Sequence, residues 1–118
     1  MSLPFTIPEV HWGMSSVRGT LRLTNEYLIF SVSLTVVGLL KRPPVTIKVA
    51  PEALHTVRYK RGLFHDSLII RPHGQDLLRS MPGNHEDVLK LRIKKEYRRE
   101  AEHLVEKIRD WALLHLYE

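Results

Sequence analysis

Two short stretches set adjacent apolar residues beside adjacent cations: Leu39-Leu40-Lys41-Arg42, and Lys60-Arg61 followed after Gly62 by Leu63-Phe64. Residues of these types at this spacing can seat an apolar tip in a membrane interface while the cations meet anionic head groups, each contributing about 1 kcal/mol near the surface. The same pairing suits a protein contact. It also suits a loop whose apolar residues plug the end of a barrel while its cations are simply solvated. A further basic cluster, Lys94, Lys95, Arg98 and Arg99, opposes the dipole at the start of a helix. There Glu96, Glu100 and Glu102 stand at spacings that offset it locally.

Residues for covalent or metal chemistry are present without the spacing that chemistry needs. The chain has no cysteine, which removes thiolate ligands, disulfides and cysteine nucleophiles. Of its seven histidines, His103 and His115 on the final helical stretch are twelve residues apart, so no i, i+4 ligand pair forms there. His65, Asp66 and Ser67 supply the residue types of a hydrolytic triad, but neighbours in sequence do not have triad geometry. No nucleophile elbow and no phosphate-cradling glycine loop occurs. The expectation is a protein without catalytic residues, cofactor or metal.

A chain of 118 residues with 43% hydrophobic and 26% charged residues is one globular domain with a real core. Its net charge of +5 favours anionic partners. An anionic membrane surface and a protein partner, including a second copy of the chain, are the two favoured classes. Nucleic acid is the alternative, less favoured because Tyr27 and Tyr59 are the only strand aromatics placed to stack on bases. Residues 1–8 lack the basic and apolar segments of a secretory signal. The longest uncharged run, Tyr27 to Leu40, is fourteen residues, against the ~20 a spanning helix needs. With no cysteine, these features make a cytoplasmic protein, free or peripheral at the membrane, the expected setting.

The elements that must position the two stretches follow from hydrophobic period. Residues 1–15, broken by Pro4, Pro8 and Gly13, read as an arm laid on a sheet, anchored by Trp12, with Val10 to Trp12 as a short extra strand. A domain then spans residues 16–118, with strands over about 17–93 and a helix over about 94–116. Its opening hairpin, Gly19 to Phe30, turns at Thr24-Asn25-Glu26. Leu21 and Leu23 share one face of the first strand, and Leu28, Phe30, Val32, Leu34 and Val36 one face of the second. Further strands are expected at 45–49, 56–60, 67–71, 77–81 and 88–93. From Lys94 the period changes: Tyr97, Ala101, Leu104, Ile108 and Trp111, with Val105 and Ala112, form an apolar helical stripe. Such a helix must cover the open end of the sheet. In an up-and-down meander alternate connections emerge together, which brings Gly38–Pro44 beside Lys60–Asp66.

Seven short strands closed by one amphipathic helix, opened by Gly19-x-Leu21-x-Leu23-Thr24 and Leu28-Ile29-Phe30, resemble the pleckstrin-homology-like superfold. The likeness is greatest to its GRAM and bacterial pleckstrin-homology branches. Val45-x-Ile47 before Leu54-x-x-Val57, and Gly62-Leu63-Phe64 before Leu68-x-Ile70, match later parts of that pattern. The resemblance covers about residues 17 to 112. It implies an α+β fold, a seven-stranded antiparallel barrel of two near-orthogonal sheets capped by a C-terminal helix. It also implies a binding or assembly module without catalysis. In eukaryotic members phosphoinositides meet basic residues on the first strand and the following loop. Arg18 and Arg22 match the strand, but Thr24-Asn25-Glu26 has no cation to match the loop.

Overall fold

The computed structural model describes residues 2–10, 15–36, 40–41, 44–81 and 87–116. Eight strands, β1 (Leu3–Val10), β2 (Ser15–Leu23), β3 (Leu28–Val36), β4 (Leu40–Lys41), β5 (Val45–Val49), β6 (Leu54–Lys60), β7 (Asp66–Pro72) and β8 (Leu89–Ile93), form one antiparallel sheet. A short helix α1 (Asp76–Ser80) lies between β7 and β8, and a long helix α2 (Arg98–Leu116) ends the described chain. Along the ladder the order is β4-β3-β2-β1-β8-β7-β6, with β5 paired to β3 beside β4. No pairing joins β5 to β6 among the described residues, so the ladder is not closed.

The segment read as an arm is β1, and it is central. Leu3, Phe5 and Ile7 alternate into the core, and β1 pairs with β2 along most of its length. A single registered pair, Thr6 with Arg92, joins it to β8 and so links the two halves of the sheet. Two prolines masked this strand. Pro4 sits near its start, and Pro8 falls where the register shifts between Ile7 and Val10, positions at which a missing N–H costs the ladder little. Trp12, expected to anchor the arm, lies outside the described residues. Opposite Phe5 stands Gly19, where a Cβ would fall 2.7 Å from the Phe5 ring and 2.5 Å from the Ser31 carbonyl oxygen. The space left there lets Phe5 meet Phe30 edge to face, with ring centroids 6.2 Å apart.

The strand expected at 77–81 is helical. Leu77, Leu78 and Met81 are all buried. Residues i, i+1 and i+4 cannot share one side of a strand but do share one side of a helix. The expected hairpin forms with Leu21 opposite Phe30 and Leu23 opposite Leu28. The predicted helical stripe also holds: Ala101, Leu104, Val105, Ile108 and Trp111 are buried in the core, with Tyr97 packed against it. A single 3-10 turn, Lys95–Tyr97, leads into α2. Two long-range bonds seat the helix. Trp111 Nε1 donates to the Asn25 carbonyl in the β2–β3 turn at 3.0 Å. Arg109 Nε donates to the Val57 carbonyl at 3.0 Å, covering part of the edge that β6 leaves unpaired.

Candidate functional site

The β6–β7 hairpin closes through Lys60 opposite Ser67 and leaves Arg61 to His65 as its loop. Leu63 and Phe64 stand at the tip, 79% and 86% exposed. They are the barest large apolar side chains among the described residues, ahead of Leu114 at 68%, Val45 at 57% and Leu113 at 52%. The reading in which they plug the barrel end therefore fails for this loop.

A dense polar set lies beneath the bare tip. Asp66, the first residue of β7, is fully buried, and its carboxylate accepts four bonds. Arg98 Nε donates to Oδ2 at 2.7 Å and Arg98 Nη2 to Oδ1 at 2.8 Å, a two-pronged ion pair to the first residue of α2. The Tyr59 hydroxyl donates to Oδ2 at 2.6 Å, and the Gly62 backbone N–H to Oδ1 at 3.0 Å. The Arg98 hydrogen bonds hold the Asp66 carboxyl well below the usual carboxylate range, overcoming the opposing effect of burial, with Tyr59 and Gly62 adding to the depression. Burial first, then the bond to the carboxylate, pushes the Tyr59 phenol well above its ordinary value. The same carboxylate raises the already high pKa of Arg98.

The loop is tied at three consecutive residues, through the side chain at Arg61 and through the backbone at Gly62 and Leu63. Arg61 Nη2 pairs with Glu102 of α2 at 2.9 Å, Gly62 N–H meets Asp66, and the Leu63 carbonyl accepts from Lys95 Nζ. Gly62 is required by the closeness of the turn, because a Cβ on it would lie 2.0 Å from the His65 carbonyl oxygen. Exposed Lys60, Arg61, Lys94, Lys95 and Arg99 put cations at this corner. Lys94 follows Ile93, the register partner of Asp66, which places it at the same end of the ladder.

The structure separates the residues that the sequence groups. Neighbouring strands are all antiparallel, so direction alternates along β5-β3-β2-β1-β8-β7-β6, and β3 and β6 run opposite ways. Their C-terminal ends, Val36 and Lys60, therefore lie at opposite ends of the ladder. The parity argument for bringing Gly38–Pro44 beside Lys60–Asp66 fails because β5 and β6 do not pair and β1 is inserted between β2 and β8. Of the first stretch, Leu40 and Lys41 form β4 against Val36 and Thr35, while Leu39 and Arg42 lie outside the described residues. The second stretch, Lys60, Arg61, Leu63 and Phe64, stays together, and it shares its end of the ladder with the β2–β3 turn.

Sequence reasoning finds the tip but misses its supports. Asp66 reads as a member of a triad-like run, whereas its carboxylate is wholly engaged by Arg98, Tyr59 and Gly62. Lys95 and Arg98 read as part of a solvated basic cluster. One signal was available: Asp66 stands at the head of the strand that carries Leu68, Ile69 and Ile70, and a carboxylate buried there needs a partner. Among the described residues, no group of three or more histidine and carboxylate side chains could hold a metal ion. No described helix is long and apolar enough to cross a membrane. Compared with protein-family models, with curated proteins and with solved structures, the chain matches none.

Proposed function

We propose that this chain is a non-catalytic interaction module that docks on an anionic membrane surface through the β6–β7 tip. The architecture proposed with it is pleckstrin-homology-like, nearest the GRAM and bacterial branches, with two near-orthogonal sheets and a capping helix. Support for that architecture comes from the grouping of β1, β2, β3 and β5 before β6, β7 and β8, with α2 packed across the end that holds the β2–β3 turn.

The observation that carries the docking reading is the pairing of bare Leu63 and Phe64 with the cations around their base. Fully burying a leucine or phenylalanine side chain is worth roughly 1.5–3 kcal/mol each, and that free energy is unrealised while both face water. Lys60 adds about 1 kcal/mol near an anionic leaflet, and Lys94, Lys95 and Arg99 add less apiece because Glu96, Glu100 and Glu102 offset part of their charge. Arg61 adds less, since Glu102 already neutralises part of its charge. An apolar wedge ringed by cations gains from a bilayer interface on both counts. A neutral protein surface would use only the wedge, and a nucleic acid only the ring.

Sedimentation with phosphatidylcholine vesicles, with and without phosphatidylserine, tests this. Binding should require phosphatidylserine, fall with salt, and be lost both in Lys60→Glu/Arg61→Glu and in Leu63→Asp/Phe64→Asp. Binding indifferent to Leu63→Asp/Phe64→Asp overturns the reading. So does its absence from vesicles when light scattering shows a salt-tolerant oligomer, which would make a protein surface the partner, or when mixed oligonucleotides are retarded in a gel.

A further inference from the structure

A loop that buries neither of its two largest side chains adds little to the core, yet three of its consecutive residues are tied down, each by a different group. Arg61 is held by Glu102, Gly62 by Asp66, and Leu63 through its carbonyl by Lys95. Two of these three anchors are on α2 or the turn leading into it, and the third, Asp66, is itself gripped from α2 by Arg98. The two side chains that follow these ties are left in water.

We infer that Asp66 and Arg98 are positioning residues for the docking tip: with Gly62 they hold the loop backbone in one shape, so that Leu63 and Phe64 meet the membrane as a preformed wedge. This rests on the docking reading above. Neither residue reaches the membrane. The buried carboxylate holds the turn at the Gly62 N–H, and the guanidinium keeps that carboxylate charged and aimed. A preformed tip has already lost the backbone freedom that a slack loop must give up on contact, a cost that falls on affinity. An apolar pair on a slack loop can also fold back against its own surface, whereas one held outward cannot.

The test uses the full chain and the same phosphatidylserine-containing vesicles, with Asp66→Asn, Arg98→Lys and Gly62→Ala. Arg98→Lys keeps the charge but loses the two-pronged geometry. Gly62→Ala leaves both clamp residues in place and forces the loop away from the His65 carbonyl. Each variant should bind about tenfold more weakly, the scale set by freeing one backbone residue. Amide hydrogen exchange at residues 62–65 should quicken, while residues of β7 and α2 stay protected. A staple serving only stability would not separate these readouts. Wild-type binding by Arg98→Lys or Gly62→Ala with faster loop exchange overturns the inference while leaving the docking reading intact. Wild-type binding by Leu63→Asp/Phe64→Asp instead removes the docking reading itself. Should Asp66→Asn fail to fold, Gly62→Ala decides, because its change lies in the loop rather than the core.

Discussion

Two corners at the same end of the ladder are built in opposite ways. The β2–β3 turn reverses the chain with its own bonds, Thr24 Oγ1 accepting from the Glu26 and Tyr27 N–H groups and donating to the Tyr27 carbonyl within four residues, and takes one bond from outside, from Trp111 to the Asn25 carbonyl. The β6–β7 loop draws its bonds from outside, from a carboxylate at the head of β7 and from cations up to 32 residues away. The first corner shows no large apolar side chain barer than Tyr27, while the second shows Leu63 and Phe64. Local bonds suffice to reverse a chain. Holding a turn whose tip faces water and contributes nothing to the core takes support from elsewhere in the fold.

That contrast predicts a large difference in cost. Asp66→Ala leaves Arg98, the Tyr59 hydroxyl and the Gly62 N–H without their acceptor, and should lower stability by roughly 2–3 kcal/mol in urea unfolding. This stays below the range for a fully buried pair because Arg98 is partly exposed to water. A loss as small as that of an exposed turn bond would mean the two corners are alike after all.

A pH titration sharpens the same point. The folded-state pKa of Asp66 lies below its unfolded value, so the clamp's contribution is complete above the unfolded value, about pH 4, and fades as pH falls toward the folded one. Asp66→Asn should therefore be less stable than wild type at neutral pH and converge on it in acid, as followed by tryptophan fluorescence in urea unfolding. An unchanged gap between the two curves from neutral to strongly acidic pH would show that the carboxylate's charge is irrelevant.

The two corners also differ in how far the sequence reveals them. Thr24-Asn25-Glu26 between alternating strands announces a turn, because the bonds that reverse the chain there are near in sequence. The α2 stripe is equally plain, since a helix buries residues at a fixed period. β1 carries the alternation Leu3, Phe5, Ile7, but Pro4 and Pro8 conceal that it is a central strand, because their tolerance depends on register and a bulge that only pairing defines. Leu77, Leu78 and Met81 fit a short apolar run of either kind. At the candidate site the bare tip is legible as residues, and its separation from Leu40 and Lys41 is not, because strand order decides which loops share an end. The link from Asp66 to Arg98 is the least legible, since nothing local requires those two residues to meet.

Smaller effects test the turn's independence. Thr24→Ala removes the turn's own side-chain bonds and should cost about 0.5–1.5 kcal/mol in urea unfolding, as expected for a net hydrogen-bond contribution. It should leave vesicle binding and loop exchange at residues 62–65 untouched. Weakened vesicle binding would mean that the two corners communicate through α2, which touches the first at Asn25 and the second at Asp66.

The smallest effect on stability belongs to the most conspicuous residues. Leu63→Ser/Phe64→Ser removes two large apolar side chains, a change that in the core costs several kcal/mol. At 79% and 86% exposure they have few protein neighbours to lose, so the melting transition should move by no more than an exposed substitution does, about 0.5 kcal/mol or less. A substantial loss of stability would show that the tip folds onto the protein in solution, so that its free energy is already spent within the fold. An unmoved transition leaves the pair as apolar surface held in water by a buried carboxylate and a helix residue, the arrangement expected where the compensating contact lies outside the molecule.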